Sequence, residues 1–349
     1  MQFLYRRVEE VVRVMAGTTR RTLLAGLGVA PLTPVSTFAA WPHVGHANAA
    51  QSTWPHRRVR VIVPYPPGGA TDTTARILFA KLSENLSHVF YIENRSGASG
   101  TIGESLVARS AHDGYTLLHD STAFSVNGLL YRKLHLDYGR DFVPVFLVSQ
   151  APAILVVTPS APVKTVGELI SLAKSSPHGI NMASAGFGSL SHLCLEIFRH
   201  KAGVTVHHVP YRGGAQAIND LMSGHVKYYF GSAVTATGLI KAGKLRGLAH
   251  TWKGGLAGLP DIPPISDTFP GFEALDWNGV FVRHGTPETV VHKLNAGLNK
   301  ALAAPQVSAR YTQLNIQSHQ NGADDFYAFV RNQMTYWGGV VKDLNIKLG

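Results

Sequence analysis

Short runs of β-branched and aromatic residues alternate along the chain with longer segments whose apolar residues recur at steps of three and four. The runs predict strands at residues 59–65, 89–93, 115–120, 153–159, 180–184, 206–210, 226–230 and 245–251. Helical periodicity follows Asp72 and Ser189 and covers roughly 287–303 and 323–343. Strands that alternate with helices predict an α/β fold with mostly parallel sheets flanked by helices.

Two stretches interrupt this alternation and predict crossings between domains. Residues 143–160 read as one extended segment, and residues 252–276 are rich in Gly and Pro with little periodicity. Two crossings predict a discontinuous first domain with the second inserted into it. The predicted boundaries are 51–155 together with 276–349 for the first domain, and 156–275 for the second.

The first fifty residues differ in kind from the rest. Arg20 and Arg21 precede a weakly apolar run, and Ala47 and Ala49 offer an A-x-A cleavage site. This layout predicts an export signal over residues 1–50, cleaved near Ala49, and a periplasmic protein. The paired arginines suggest the twin-arginine route, with the Sec route left open.

Composition narrows the functional classes. At 349 residues with 45% hydrophobic content, the chain is long enough for two domains. The net charge of +11 comes from scattered Lys and Arg, which does not indicate nucleic-acid binding but favours acidic small ligands. A single cysteine, Cys194, excludes an intrachain disulfide.

The loop "YPPGGATD" (65–72) leaves the first predicted strand and leads into a helix. Pro66 and Pro67 restrict the backbone where the chain leaves the strand, while Gly68 and Gly69 let a ligand approach the backbone. The following helix N-terminus presents unpaired amides and a partial positive charge, which attract carboxylates or phosphates. Asp72 either favours this helix N-terminus or accepts a hydrogen bond from a ligand hydroxyl.

A second loop of the same construction, "ASAGFGSLSH" (183–192), follows another strand. It contains Gly186 and Gly188, and Ser189 is the predicted N-cap of the next helix. We expect His192 to cap or pack rather than to contact a ligand. Two amide-rich loops in two domains predict an anion-binding cleft between them.

Other motifs argue against a cofactor, a metal or a catalytic nucleophile. The loop "SGASGTIGE" (96–104) lacks the G-x-G-x-x-G spacing, so we expect a packing turn that opens a helix at 101–110. His207 and His208 are adjacent in a strand and point to opposite faces, so they cannot chelate one ion. "GFGSL" and "GASGT" miss the G-x-S-x-G register by one place, which disfavours a hydrolase.

As a set, several motifs give the chain a family likeness from Trp54 to Leu348. It resembles the tripartite tricarboxylate transporter substrate-binding proteins, the Bug family, in "WPHRRVRVIVPYPPGGATD", "IENRSGASGTIG", "ARSAHDGYTLL", "NMASAGFGSLSHL", "HVPYRGGAQAINDLMSGHV" and "YWGGVVKDLNIKL". The resemblance implies a two-lobed, type II periplasmic binding fold that hinges at about 150–160 and 270–280. It also implies that the protein captures a small organic carboxylate and delivers it to permease subunits in the membrane. We expect no cofactor, and we take a monomer as the default oligomeric state. A sensor that presents the ligand to a signalling receptor is the alternative, and an α/β enzyme is less favoured.

The resemblance further implies which residues surround the ligand. They are Tyr65, Pro67, Gly68, Gly69, Asp72, Thr122, Asn127, Ser184, Ala185, Gly186, Gly188, Ser189, Tyr211 and Trp277. Ligand carboxylate oxygens would accept hydrogen bonds from amides near the four glycines and from the two serine hydroxyls. Tyr211 and Trp277 would shape the wall.

The sequence departs from the family pattern at one place. Where relatives read V-D followed by F-D or F-N, this chain reads "VKYYFGS", with Lys227 and Gly231 in those positions. A cleft side chain able to hold a ligand amine is therefore missing at the second position. On this ground we expect a plain organic acid rather than an amino acid.

Overall fold

The structure, a computed structural model, describes residues 54–131 and 133–347. The predicted export signal and its cleavage site lie outside these residues. Within them the chain forms nine strands and ten α-helices. The strands are β1 (Val59–Val63), β2 (Phe90–Asn94), β3 (Thr116–Ser121), β4 (Phe142–Val157), β5 (Ile180–Ser184), β6 (Val206–Pro210), β7 (Tyr228–Ser232), β8 (Arg246–His250) and β9 (Leu275–Arg283). The helices are α1 (Ala70–Leu86), α2 (Thr101–Ala108), α3 (Phe124–Leu130), α4 (Val166–Ser175), α5 (Leu190–Ala202), α6 (Gly214–Ser223), α7 (Ala233–Lys241), α8 (Glu288–Leu302), α9 (Pro305–Gln313) and α10 (Ala323–Asp343).

The strands form two mixed sheets that share β4. The first sheet has the order β2-β1-β3-β9-β4, and in the second β4 pairs with both β7 and β8, with β5 and β6 beyond β7. β1, β2 and β3 run parallel, as do β5, β6 and β7, whereas β9 runs antiparallel to both β3 and β4. The predicted α/β alternation is confirmed, and the parallel character is limited to the outer strands of each sheet.

β4 carries the chain from one sheet to the other. It pairs with β9 over Phe142–Pro152 and with β7 over Ala153–Val157. We call the two halves on either side of this change of partner lobe 1, which contains β1, β2, β3 and β9, and lobe 2, which contains β5 to β8. The predicted crossing at 143–160 lies on this strand, while the exact domain boundaries stay a prediction.

Helix boundaries depart from the sequence prediction at two capping sites. α1 begins at Ala70 with Gly69 as its N-cap, so Asp72 lies inside the first turn rather than before the helix. Pro287 is the N-cap residue of α8 rather than part of its first turn. Ser189 is the N-cap of α5 as predicted, because its hydroxyl accepts a hydrogen bond from the amide of His192 at 3.4 Å.

Each lobe has its own apolar core, which fixes the strand ends that face the cleft. In lobe 1, α1 and α8 pack on β1, β3 and β9 through Leu78, Phe79 and Leu294, all fully buried. In lobe 2, α5 packs on β7 through Phe198 and Phe230. Among the described helices, none combines the length and the apolar character that crossing a bilayer requires.

Candidate functional site

A cavity of about 70 Å³ lies between the two lobes, at the edge where the parallel strands end. It is lined by Tyr65, Pro66, Gly69, Ala70, Thr71, Ser121, Ala153, Ala185, Ser189, Leu190, Ser191, Gly213, Gly214, Tyr229, Phe230, Ser232, Thr235 and Asp276. A space of this size suits a small molecule.

Four helix N-termini converge on this cavity. α1 contributes Ala70 and Thr71, α5 contributes Leu190 and Ser191, α6 begins at Gly214, and α7 follows its N-cap residue Ser232. The first amides of an α-helix have no partner within the helix, and the helix dipole adds a partial positive charge at the same end. The sequence predicted two such N-termini, and the structure adds two more from lobe 2.

Within the part of the chain that the structure describes, the cavity lining contains no basic side chain, although the protein has a net charge of +11. No Lys, Arg or His lies among the eighteen lining residues of the described chain, and the one carboxyl group is that of Asp276. An anion in this cavity would be held by amides and hydroxyls rather than by side-chain cations. Residues with hydroxyl groups line the cavity from both lobes, among them Thr71, Ser121 and Ser191.

Asp276 is the second residue of β9 and is held in place by Thr122. The Thr122 hydroxyl donates to Asp276 Oδ1 at 2.7 Å and accepts from the amide of Trp277 at 3.1 Å. Withdrawal from bulk water raises the pKa of Asp276 to about 6. The side chain therefore stays mostly ionised at neutral pH.

Behind Tyr65 lies a buried network of acids. The Tyr65 hydroxyl donates to Asp120 Oδ1 at 2.8 Å and accepts from the hydroxyl of Ser121 at 2.9 Å. Burial raises the pKa of Asp120 to about 6 and raises the pKa of Glu104 well above its usual range. The hydrogen bonds from Tyr65 to Asp120 and from Ser121 to Tyr65 fix the ring of Tyr65 at the cavity.

Four of the residues predicted to surround the ligand line the cavity: Tyr65, Gly69, Ala185 and Ser189. Their positions follow from the two predicted loops, each of which leaves a parallel strand and enters a helix. The others lie beside or behind the cavity.

Trp277 does not shape the cavity wall, which corrects the prediction. Side chains alternate along a strand, so Asp276 faces the cavity while Trp277 points to the opposite face of β9. There it is fully buried against Phe281, Phe326 and Phe329.

Three of the four glycine amides predicted to bind the ligand are engaged within their own loops. The amide of Gly68 donates to Asp72 Oδ2 at 2.9 Å. The amides of Gly186 and Gly188 donate to Ser184 Oγ at 3.1 Å and to His192 Nδ1 at 3.2 Å. Hydrogen bonds from Arg76, Gly68 and Asn94 outweigh burial and lower the pKa of Asp72, so its role is to tie the first loop to α1.

The remaining predicted residues also support the site from a distance. Asn127 is fully buried and donates to Glu104 Oε1 at 2.8 Å, and Tyr211 donates its hydroxyl proton to Asp220 Oδ2 at 2.7 Å. Pro67 is exposed and does not line the cavity. Thr122 is fully buried and reaches the cavity only through Asp276.

Ser184 and the histidines near it form a packed cluster rather than a reactive one. Ser184 is fully buried and lies 2.5 Å from His208 Nε2, and the His208 ring stacks on that of His192 at 4.2 Å. Burial lowers the pKa of His208 to about 4 and that of His192 to about 3, so both rings are neutral. His207 points the other way, toward the carbonyl of His178. Across the described residues, no group of three His, Cys, Asp or Glu side chains could hold a metal ion.

The two lobes touch around the cavity. Gly213 in lobe 2 is so close to Pro66 in lobe 1 that a Cβ atom at Gly213 would lie 2.7 Å from Pro66 Cδ. Pro66 and Gly213 both line the cavity, so the two lobes meet beside it.

Sequence reasoning missed Asp276 because it did not predict β9 or the direction in which this strand runs. β9 is antiparallel to its neighbours, so its amino end lies at the same edge as the carboxyl ends of β1 and β3. A residue at the start of β9 therefore enters the same cavity as the loops after β1 and β3. The signal was present in "LDWNG", where alternation assigns Asp276 and Trp277 to opposite faces.

Comparisons with known proteins agree with this architecture. Residues 74–346 match the family described as "Tripartite tricarboxylate transporter family receptor". "Protein BugT" of Bordetella pertussis (strain Tohama I) is 31% identical over 305 residues, which cover 86% of this chain and 94% of BugT.

Two solved structures from Rhodopseudomonas palustris are similar over most of the chain. Rpa4515, described with adipate, is 33% identical with a TM-score of 0.81, covering 84% of this chain and 99% of that one. MatC, described with bound malate, is 32% identical with a TM-score of 0.79, covering 82% of this chain and all of that one. The predicted two-lobed fold and the Bug-family resemblance are confirmed, and this chain belongs to the family of tripartite tricarboxylate transporter receptors.

Proposed function

We propose that this protein captures a small organic carboxylate in the periplasm and delivers it to the membrane subunits of a tripartite carrier. The observation that carries the proposal is the convergence of four helix N-termini on one cavity between two lobes. Such a site offers amide donors and partial positive charge without side-chain cations, which is how backbone groups bind anions. The family of the chain supports the coupling to a tripartite carrier.

The ligands of two similar proteins support the choice of a carboxylate. Rpa4515 is described with adipate and MatC with bound malate, and both acids carry two carboxylates. The cavity in this chain is small, so we expect short acids to bind better than large aromatic ones.

Thermal shift and calorimetry on the purified protein would test the proposal. The protein is first unfolded and refolded to remove any bound ligand, and is then mixed with di- and tricarboxylates, aromatic acids and amino acids. A ligand at 100 times its Kd should add about 2.7 kcal/mol to the free energy of unfolding and raise the Tm by several degrees. If sugars or cations stabilise the protein and no acid does, the proposal is wrong.

We also propose that the protein binds its ligand without turning it over and acts as a monomer. A bound acid should be recovered unchanged after long incubation with the protein, as judged by NMR of the released ligand. Light scattering should give the mass of one chain with and without ligand. Conversion of the acid to a product, or a stable dimer, would contradict these two points.

A further inference from the structure

The cavity is not uniform in its electrostatics. One part is built from helix N-termini and hydroxyl groups, which favour negative charge, and another carries the carboxylate of Asp276. The carboxylate of Asp276 repels a ligand that carries two carboxylates and no hydrogen-bond donor, because no Lys, Arg or His lies among the lining residues of the described chain to offset the repulsion. A ligand that carries a hydrogen-bond donor beside its carboxylate would instead be attracted to Asp276.

The carboxyl group of Asp276 is positioned to receive such a donor. Its Oδ1 accepts from the Thr122 hydroxyl at 2.7 Å, which fixes the orientation of the group. Among the described residues Oδ2 accepts no hydrogen bond from a side chain, and Asp276 is partly exposed and lines the cavity. A carboxylate oxygen that faces the cavity can accept a hydrogen bond from a donor on the ligand.

We propose that Asp276 accepts a hydrogen bond from the ligand, so that the site selects a carboxylic acid that also carries an ammonium or hydroxyl group. This rests on the proposed carboxylate-binding function and specifies its substrate class. The expectation of a plain acid rested on the loss of a polar side chain at Gly231, which lies in β7 and does not line the cavity. Asp276 supplies the polar side chain from β9 instead.

The pKa of Asp276 sets how binding depends on pH. The ionisable groups that lie close enough to feel the charge of Asp276 come from three elements: Asp120 on β3, Tyr229 on β7 and Cys194 on α5. Burial raises the pKa values of Tyr229 and Cys194, so both stay neutral. Because the pKa of Asp276 is about 6, its acceptor function should weaken as the pH falls from 7.5 to 5.5.

A matched ligand series tests the proposal. Three acids share one skeleton and differ in one group: succinate has no donor, malate has a hydroxyl, and aspartate has an ammonium. Glutarate, 2-hydroxyglutarate and glutamate repeat the series with one more carbon. Calorimetry at pH 7.5 should give at least one donor-bearing acid a Kd at least about tenfold lower than the plain acid of the same length. The Kd values of malate and aspartate then show whether the site prefers a hydroxyl or an ammonium group as the donor.

The variant Asp276→Asn should remove this preference. Its neutral amide attracts an ammonium or hydroxyl donor less strongly than the carboxylate does, and its NH2 group can donate to a ligand carboxylate. Its affinity for the preferred acid should fall about tenfold, and its affinity for the plain acid should rise. Asp261→Asn makes the same charge change on the exposed surface and should behave as the wild type.

The outcomes separate the inference from the function on which it rests. If plain and donor-bearing acids bind the wild type equally at pH 7.5, or if Asp276→Asn folds and keeps the preference, the inference is wrong and carboxylate capture stands. If none of the six acids binds, the inference fails, and the broader acid panel described above decides the function separately. Should Asp276→Asn not fold, the wild-type series alone decides.

Discussion

At the level of single residues, access to the backbone decides what the cavity can bind. Gly69 lies at the N-cap of α1 and lines the cavity, so any side chain there projects toward the ligand. A Cβ atom at this position would meet only the carbonyl oxygen of Pro66, at 3.7 Å, and the φ of −75° suits any residue. The fold should therefore tolerate a larger residue that the ligand does not.

We predict that Gly69→Val abolishes carboxylate binding while the Tm of the ligand-free protein changes little. Calorimetry with the best acid of the panel measures the first effect, and a thermal melt measures the second. Gly255→Val is the matched control, because Gly255 is exposed with no atom within 4 Å of an added Cβ. Wild-type affinity in Gly69→Val would show that the ligand does not approach α1.

Asp72 links the first loop to α1 and gives stability a pH dependence. Its carboxylate accepts from Gly68, Arg76 and Asn94, which lowers its pKa in the folded state. The stability from these bonds is complete above the unfolded pKa of about 3.9, and is lost as the pH falls through the lower folded value.

Asp72→Asn should therefore destabilise the protein by about 1–3 kcal/mol at pH 7, the range for hydrogen bonds to a charged group. The difference from wild type should shrink below about pH 4, where the wild-type carboxylate becomes protonated. Urea unfolding at pH 7 and pH 3 measures both values. Asp113→Asn, at an exposed ion pair with Arg57, should cost less than about 1 kcal/mol, and an equal loss in both variants would contradict the role given to Asp72.

At the level of elements, the start of α6 lies close to the first loop across the cleft. Gly213 precedes α6 with an extended backbone, and Pro66 faces it from lobe 1. The proline ring is rigid, so an added methyl group at Gly213 has to push the two elements apart.

We predict that Gly213→Ala weakens ligand affinity by roughly fivefold to hundredfold through overpacking of the closed cleft. The ligand-free protein should keep its Tm, because an open cleft relieves the contact. Small-angle scattering should show a smaller ligand-induced decrease in radius of gyration than in wild type. Gly238→Ala on the exposed face of α7, where an added Cβ meets nothing within 4 Å, is the control. Equal affinities in the two variants would mean that the ligand binds without this closure.

The sequence predicted the short strands and main helices well because each is a local pattern. It predicted a strand at 153–159 within an extended segment at 143–160, but it predicted neither the partners of β4 nor the existence of β9. β4 contains Pro144 and Pro152, which cannot donate to the ladder, and its register shifts between Pro144 and Phe146. β9 directly follows a Gly- and Pro-rich stretch, and its partners lie more than one hundred residues away in sequence. Asp276, which carries the one carboxyl group among the described lining residues, was missed because its position depends on β9.

At the level of the whole molecule, one buried thiol can report on opening. Cys194 is the single cysteine of the chain, and it is fully buried in the core of lobe 2, where burial raises its pKa. A thiol reagent can reach it only when that core opens.

We predict that Cys194 reacts with a chromogenic disulfide reagent far more slowly than a free thiol, and at full speed in denaturant. Added ligand should slow the reaction further, because binding stabilises the folded state. The variant Cys194→Ala has no thiol and therefore measures the background signal of the reagent. Rapid labelling of the native protein would show that lobe 2 opens locally without global unfolding.

The place of β9 in the first sheet also constrains the order in which the chain can fold. β9 lies between β3 and β4, and its residues are made after all of lobe 2. While the ribosome is still making the chain, lobe 2 can complete its pairings of β4 to β8, but β3 keeps an unpaired edge until residue 283 is available. Such an edge invites pairing with other chains. Lobe 1 is therefore the late-folding half of the molecule, and the half that most needs protection before synthesis ends.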